Sequence, residues 1–192
     1  MSIPGSKPEF DKNWTLFLDR DGVINVESVG SYITSWDEFT FHDGVLDALR
    51  SLGRVFGNIV VVSNQRGVGR GIMTMEALRE INGNMRAAVV ENGGRIDKIY
   101  AATAVTDDDR NRKPNTGMGL QAQEDFPAID FKRSVMIGNS LSDMEFGKRL
   151  NMYTIFLTTK HEPLALPNDL VDEQFDSLYA WATRLIPAEM VG

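Results

Sequence analysis

Short apolar runs rich in β-branched and aromatic residues recur along this chain, and segments with helical spacing separate them. The runs fall at Thr15–Leu18, 59–62, 96–101, 134–137 and Tyr153–Leu157. Uninterrupted apolar runs of this length read as strands covered on both faces, and alternation with helices reads as β-α-β units. Between the runs, 43–52 places Val45, Leu46, Leu49 and Leu52 on one helical face, and 74–91 does the same with Leu78, Ile81, Met85, Ala88 and Val89. Shorter helical candidates lie at 116–126 and 141–150, the second opened by the capping-box pattern Ser142-Asp143-Met144-Glu145. Residues 176–185 read as a last amphipathic helix. The pattern predicts an α/β fold, a three-layer α/β/α sandwich around a mainly parallel, Rossmann-like sheet. At 192 residues, with no repeat and no Pro/Ser-rich linker, the chain is expected to form one domain over 1–192. Within it, 1–13 is expected to be flexible and 160–192 to form a C-terminal helical extension.

Composition narrows the function. There are 20 Lys+Arg against 27 Asp+Glu, a formal net charge of −7, which disfavours a general nucleic-acid binder or a binder of anionic membranes. Cysteine is absent and there are two His, so disulfides, thiolate zinc sites, iron–sulfur clusters and cysteine nucleophiles are excluded. No apolar run approaches the length of a membrane span, and residues 1–10 carry Pro and Gly in place of a signal sequence. A cytoplasmic protein, monomeric or weakly dimeric, is the resulting expectation.

In parallel sheets, ligands bind at the carboxyl ends of the strands, so the polar residues after each run matter most. They are Asp19-Arg20-Asp21-Gly22, then Ser63-Asn64-Gln65, then Lys113-Pro114, then Gly138-Asn139-Ser140-Leu141-Ser142-Asp143. Asp19 at a strand tip can bind a divalent cation, attack an electrophile, or both; alone, Asp-x-Asp-Gly also reads as an Asx turn. Ser63 can donate to a phosphoryl oxygen or simply cap a turn. The glycine-rich stretch from Gln65 to Gly71 reads as a flexible cationic loop in which Arg66 or Arg70 faces a phosphate or solvent. Lys113, just before a helix, can present a point charge to an anion. The acidic run Asp107-Asp108-Asp109 reads as a solvated loop tip. Asp143 is a candidate metal ligand or a first-turn helix carboxylate. His42 and His161 read as structural or surface residues.

In this order the clusters resemble the four motifs of the haloacid-dehalogenase-like superfamily of aspartate-nucleophile phosphohydrolases: Asp19-Arg20-Asp21-Gly22, Ser63, Lys113 and Gly138 through Asp143. Longer strings, Phe17 through Asn25, Ser63 through Gly71 and Arg112 through Met118, are similar to the branch of heptose-1,7-bisphosphate and histidinol-phosphate phosphatases. The resemblance implies a magnesium-dependent phosphomonoesterase acting on a small phosphorylated metabolite, a sugar bisphosphate in the first instance. It implies Asp19 as nucleophile, Asp21 as general acid and base, and Ser63 and Lys113 as the groups that hold the phosphoryl oxygens. Magnesium would be held by Asp19, the Asp21 carbonyl, Asn139 and Asp143. Arg20, Gly22, Asn64, Gln65, Arg66, Arg70 and Arg112 fall at the family's substrate- and phosphate-binding positions.

Two departures stand out. The fourth motif often begins Gly-Asp, whereas this chain has Asn139, so a weaker metal site is expected. Many bacterial heptose-bisphosphate phosphatases carry a Cys/His zinc loop before Arg-Lys-Pro; residues 103–111 here contain neither residue type, and no zinc is expected. The region 26–41 is too short for a cap domain, so an open site without a separate cap is expected. Histidinol phosphate and a polynucleotide 3′-phosphate are alternative substrates. A non-catalytic phosphate-binding protein on the same scaffold is the alternative of another class.

Overall fold

The apolar runs become the strands of one sheet in the computed structural model, which describes residues 7–28 and 30–185. The strands are β1 (Thr15–Leu18), β2 (Asn58–Asn64), β3 (Lys98–Ala102), β4 (Ser134–Gly138), β5 (Tyr153–Leu157) and β6 (Glu173–Phe175). They lie in the order β3-β2-β1-β4-β5-β6, and every pairing is parallel. The helices are α1 (Val45–Val55), α2 (Arg66–Gly69), α3 (Met75–Glu91), α4 (Gly117–Asp125), α5 (Leu141–Arg149) and α6 (Leu178–Leu185).

Strand alternation builds the three layers. Leu16, Leu18, Ile59, Val61, Val135 and Ile137 face one side, where Leu49 of α1, Ile81 of α3 and Trp181 of α6 cover them. Phe17, Val60, Val62, Met136 and Phe156 face the other, against Met118 of α4 and Phe146 of α5. Successive side chains of a strand point to opposite faces, so a run that is apolar at every position must be covered twice. Each large apolar side chain fully buried here contributes roughly 1.5–3 kcal/mol.

The chain moves outward from β1 through β2 to β3, then returns to the other side of β1 to begin β4. That reversal opens a crevice beyond the carboxyl ends of β1 and β4, where such sheets bind ligands. The stretch between β1 and α1 holds one turn of 3-10 helix, Trp36–Glu38. The stretch between β2 and β3 is taken up by α2 and α3.

Several expectations are corrected. The capping box of α5 is formed by Ser140 and Asp143, not by Ser142 and Glu145. Ser140 is the extended residue that immediately precedes the helix, at φ −126 and ψ 155, whereas Ser142 already lies inside it. The region 160–192 contributes a strand, β6, as well as the helix α6; Glu173-Gln174-Phe175 is too polar to register as an apolar run. Residues 186–192 lie outside the described residues, as do 1–6 of the expected flexible segment. Phe10 of that segment is packed, with its ring 5.0 Å from Trp14 and 5.8 Å from Trp181. The stretch after β2, expected as a flexible loop, begins with the helical turn α2. A Cβ on Gly69 would lie 2.2 Å from the Thr103 carbonyl oxygen, so α2 packs directly on the chain leaving β3.

Candidate active site

Carried one residue past β1, the alternation sends Asp19 to the side of α4 and α5, and Arg20 to the side of α3. The contacts follow this division. The ammonium of Lys113 lies 2.9 Å from Asp19 Oδ1 and 2.6 Å from Asp143 Oδ1. The Arg20 guanidinium reaches Asn82 of α3, with Nη1 3.3 Å from its Oδ1.

Asp19 is fixed to the sheet by its backbone N–H, which donates to Ile137 O at 2.9 Å. Burial pushes its carboxyl up to about 7; Lys113 opposes the rise, and the nearby Asp143 and Asp21 add to it. Burial alone would lower Lys113, but the Asp143 and Asp19 carboxylates outweigh it and raise the ammonium above its ordinary value. Asp143 is held from the opposite side. Its Oδ2 accepts from Ser140 N at 3.0 Å and from Ser140 Oγ at 2.7 Å, while Oδ1 faces Lys113. Asp143 reaches this place because β4 ends in Gly138: a Cβ there would lie 2.3 Å from Asp143 Cβ.

Asp21 is set differently. Its carboxylate accepts from Arg20 Nη2 at 3.0 Å, Asn25 Nδ2 at 3.0 Å and Gln65 Nε2 at 2.8 Å. Burial pushes its pKa up, but the Arg20 charge and the bonds from Asn25 and Gln65 outweigh that and leave it below the usual carboxylate range. The surroundings thus make Asp21 the stronger acid of the two and Asp19 the weaker. This is the reverse of the order the resemblance implies for a magnesium- and substrate-bound enzyme.

The other expected site residues divide into those at the cavity and those behind it. Asp19, Asp21, Asn64, Gln65, Lys113 and Asn139 line a cavity of about 210 Å³, with Asp143, Glu27 and Tyr32 around them. Ser63 is buried at the end of β2, is not among the lining residues, and accepts from Gln65 Nε2 at 2.8 Å. Arg20, expected to meet the phosphate, also lines the cavity; its side chain is largely buried, and its guanidinium is bound to Asp21, Gln65 and Asn82. Asn64 clamps the Lys113 backbone, donating to its carbonyl at 3.1 Å and accepting from its N–H at 2.9 Å. Gly22 has φ +81, and a Cβ there would lie 1.9 Å from Asn139 Nδ2, so the turn after Asp21 leaves room only for the Asn139 amide. Arg70 Nη1 donates to Tyr32 Oη at 3.0 Å, and Arg66 and Arg112 both bind Asp107. Asp107 is thus an ion-pairing residue and not merely a solvated tip.

Sequence reasoning missed Asn25, Glu27, Tyr32 and Asn82. Asn25 stood in the string after Asp21, where its side chain returns to that carboxylate. Glu27 accepts from Asn139 Nδ2 at 3.2 Å and from Lys160 Nζ at 2.7 Å, and nothing in the local sequence marks partners so distant. Hydrogen bonds within the loop 103–112 brace it. The Asp109 carboxylate accepts from the N–H groups of Asn111 and Arg112, and the Asn115 amide donates to the carbonyls of Asp107 and Asp109.

The donor set suits magnesium. Asp143 Oδ1 is buried and faces Asp19 Oδ1 across the Lys113 ammonium, and the surrounding donors are hard oxygens. Among the described residues no three His, Cys, Asp or Glu side chains converge. A magnesium ion needs only one or two carboxylates, because it retains several of its waters.

Fold and strand-end residues together place the chain among the haloacid-dehalogenase-like phosphatases, enzymes that hydrolyse phosphoric monoesters. Within them it belongs to the family described as polynucleotide kinase 3 phosphatase, whose model matches residues 13–156. The chain is 32% identical over 173 residues to the D-glycero-alpha-D-manno-heptose-1,7-bisphosphate 7-phosphatase of Mycobacterium bovis, covering 90% of this chain and 91% of that relative. It is 34% identical over 157 residues to the corresponding beta-heptose enzyme of Escherichia coli, covering 78% and 81% of the two. A solved structure of the D,D-heptose 1,7-bisphosphate phosphatase of B. bronchiseptica, complexed with magnesium and phosphate, matches with a TM-score of 0.78 and 25% identity, over 90% of this chain and 97% of that one. Among the described residues, no helix is long and apolar enough to cross a membrane.

Proposed function

We propose that this enzyme is a magnesium-dependent phosphomonoesterase that removes one phosphate from a heptose 1,7-bisphosphate through an aspartyl-phosphate on Asp19. The observation that carries the reading is the buried Asp19–Lys113–Asp143 arrangement at the strand-end cavity. The names of the relatives support the substrate class.

In this reading, an Asp19 carboxylate oxygen forms a bond to phosphorus as the bond from phosphorus to the sugar oxygen breaks. Asp21 gives its proton to the leaving alkoxide. It then takes a proton from the water that attacks the phosphoryl group, releasing phosphate and restoring Asp19. Asp21 must first be protonated, and a phosphate dianion arriving beside it favours that by raising its pKa. Lys113 holds negative oxygens in a dry site, where a fixed charge is effective. Asn64 positions the lysine by bonding its backbone on both sides, and Gln65 ties Asp21 to Ser63. Asp19, the Asp21 carbonyl, Asn139 and Asp143 would hold magnesium, which supplies positive charge that keeps Asp19 ionised and offsets its repulsion from phosphate.

The test is a substrate panel with the wild-type enzyme and the Asp19→Asn and Asp21→Asn variants. Heptose 1,7-bisphosphate should exceed histidinol phosphate and a 3′-phosphorylated oligonucleotide in kcat/KM. Asp19→Asn should lose at least ~10⁴-fold in kcat with its fold intact. Asp21→Asn should accumulate phosphoenzyme from an aryl phosphate, whose leaving group needs no acid. Retained turnover by Asp19→Asn would overturn the covalent route, and a preference for another member of the panel would overturn the substrate.

A further inference from the structure

Asn139 stands where the fourth motif departs from its usual aspartate, and the two ends of its amide have different surroundings. The nitrogen, Nδ2, donates to Glu27 Oε2 at 3.2 Å and packs on Gly22, where a Cβ would lie 1.9 Å from it. Among the described residues, nothing donates to the oxygen, Oδ1. The residue is buried, and it lines the same cavity as Asp19, Asp21 and Asp143.

Glu27 is itself fixed. Lys160 Nζ donates to its Oε1 at 2.7 Å, which leaves Oε2 for the amide. Lys160 comes from the loop after β5, and Thr159 beside it donates to Gly22 O at 2.7 Å, so this loop braces both Glu27 and the turn after Asp21. Glu27 and Asn139 together form the wall between the active-site cavity and a second one of about 310 Å³, lined also by His42, Thr159 and Lys160. An asparagine is a metal ligand at one end only. Its oxygen can bind magnesium, whereas its NH2 group offers two donors and repels a cation. The metal-free cavity draws the wrong end inward, because the carboxylates of Asp19, Asp21 and Asp143 outnumber the Arg20 and Lys113 cations that line it with them. The Glu27 carboxylate accepts and does not donate, so it competes for the NH2 group and leaves the oxygen alone.

We infer that Glu27 is a positioning residue which, by holding the nitrogen of Asn139, keeps the amide oxygen free for magnesium and so fits the site to an asparagine. The inference rests on the metal set proposed above. Without Glu27, the amide turns its NH2 group to the cavity carboxylates, and magnesium must turn it back. The apparent affinity then falls in proportion to the fraction of molecules that already present the oxygen. An aspartate at position 139 has an oxygen at either end and gains nothing from Glu27.

The experiment is a calorimetric titration with magnesium, in the absence of substrate and at one pH. It uses the full chain as wild type, Glu27→Ala, Asn139→Ala, Asn139→Asp and the double variant Glu27→Ala with Asn139→Asp. Glu27→Ala should weaken binding about tenfold, the lower end of the loss when a ligand's outer partner is removed. In the Asn139→Asp background the same change should not weaken it. That contrast separates orientation from the loss of a nearby negative charge and from a direct bond between Glu27 and magnesium, either of which weakens binding in both backgrounds. Equal weakening in both backgrounds overturns the inference alone, as does wild-type affinity in Glu27→Ala when Asn139→Ala binds more weakly. If Asn139→Ala binds magnesium as tightly as wild type, or wild type does not bind it, the proposed metal set falls and the inference with it.

Discussion

The Lys113 ammonium stands between two buried carboxylates, 2.9 Å from Asp19 Oδ1 and 2.6 Å from Asp143 Oδ1. One cation thus serves two anions, one just past the end of β1 and one in the first turn of α5. It is part of what allows these carboxylates to share a dry crevice, and its removal has consequences for stability as well as catalysis.

Lys113→Met leaves Asp19 and Asp143 facing each other without a counter-ion. Breaking a buried pair in this way costs about 3–5 kcal/mol. Urea denaturation of the variant should show that loss without magnesium and a partial recovery with it. Loss of kcat should reach at least about 10²-fold, the cost of removing one preorganised donor. An unchanged urea midpoint would show that the lysine is not the counter-ion of the pair.

Gly138→Ala tests the close approach behind the site. The added Cβ would lie 2.3 Å from Asp143 Cβ, so either β4 or the first turn of α5 must shift. The expected cost is about 1–3 kcal/mol, that of overpacking a filled interior. The magnesium concentration for half-maximal activity should rise with it, because Asp143 is the residue displaced. A variant with wild-type stability and metal response would show that Asp143 is not held by this contact.

Asn139→Asp should strengthen magnesium activation by about tenfold, since a carboxylate binds the ion with charge where an amide oxygen does not. It should also carry a penalty. Asn139 Nδ2 donates to Glu27 Oε2 at 3.2 Å, and an aspartate there would repel Glu27 in the metal-free protein. Melting temperature should therefore fall without magnesium and recover with it, and adding Glu27→Gln should remove the fall. Unchanged metal dependence would take residue 139 out of the metal shell.

His42 gives a pH dependence of stability that is separate from turnover. Burial lowers its pKa below 6.5, Asp43 opposes only in part, and its Nε2 is buried without a partner. The unfolded chain therefore takes up a proton at higher pH than the folded one. The contribution of His42 is complete above about 6.5 and is lost as the pH falls through its lowered folded value. His42→Leu should narrow the difference in urea midpoint between pH 7.5 and pH 5.5. An equal or wider difference would assign the acid sensitivity to other groups.

Much of this fold could be read from periodicity alone. An apolar run such as 59–62 must be covered on both faces, and the segments between runs had the helical spacing to cover it. β6 escaped notice because an edge strand of Glu173-Gln174-Phe175 has no apolar run to betray it. The strand-end motifs gave the positions of Asp19, Asp21, Lys113 and Asp143, and even the opposite directions of Asp19 and Arg20 follow from the two-residue period of a strand.

Sequence by itself thus determined the layers, the end of the sheet that carries the chemistry, and which carboxylates stand there. Only the tertiary structure decided what each polar group is bonded to. It bonded the buried Arg20 guanidinium to Asp21, set Asn139 against Glu27, and tied Arg66 and Arg112 to Asp107. The reason is physical. Hydrophobic periodicity is local and repeats along the chain, whereas the partner of a charged group is whichever side chain the crossovers bring within about 3 Å, and sequence spacing does not record that distance.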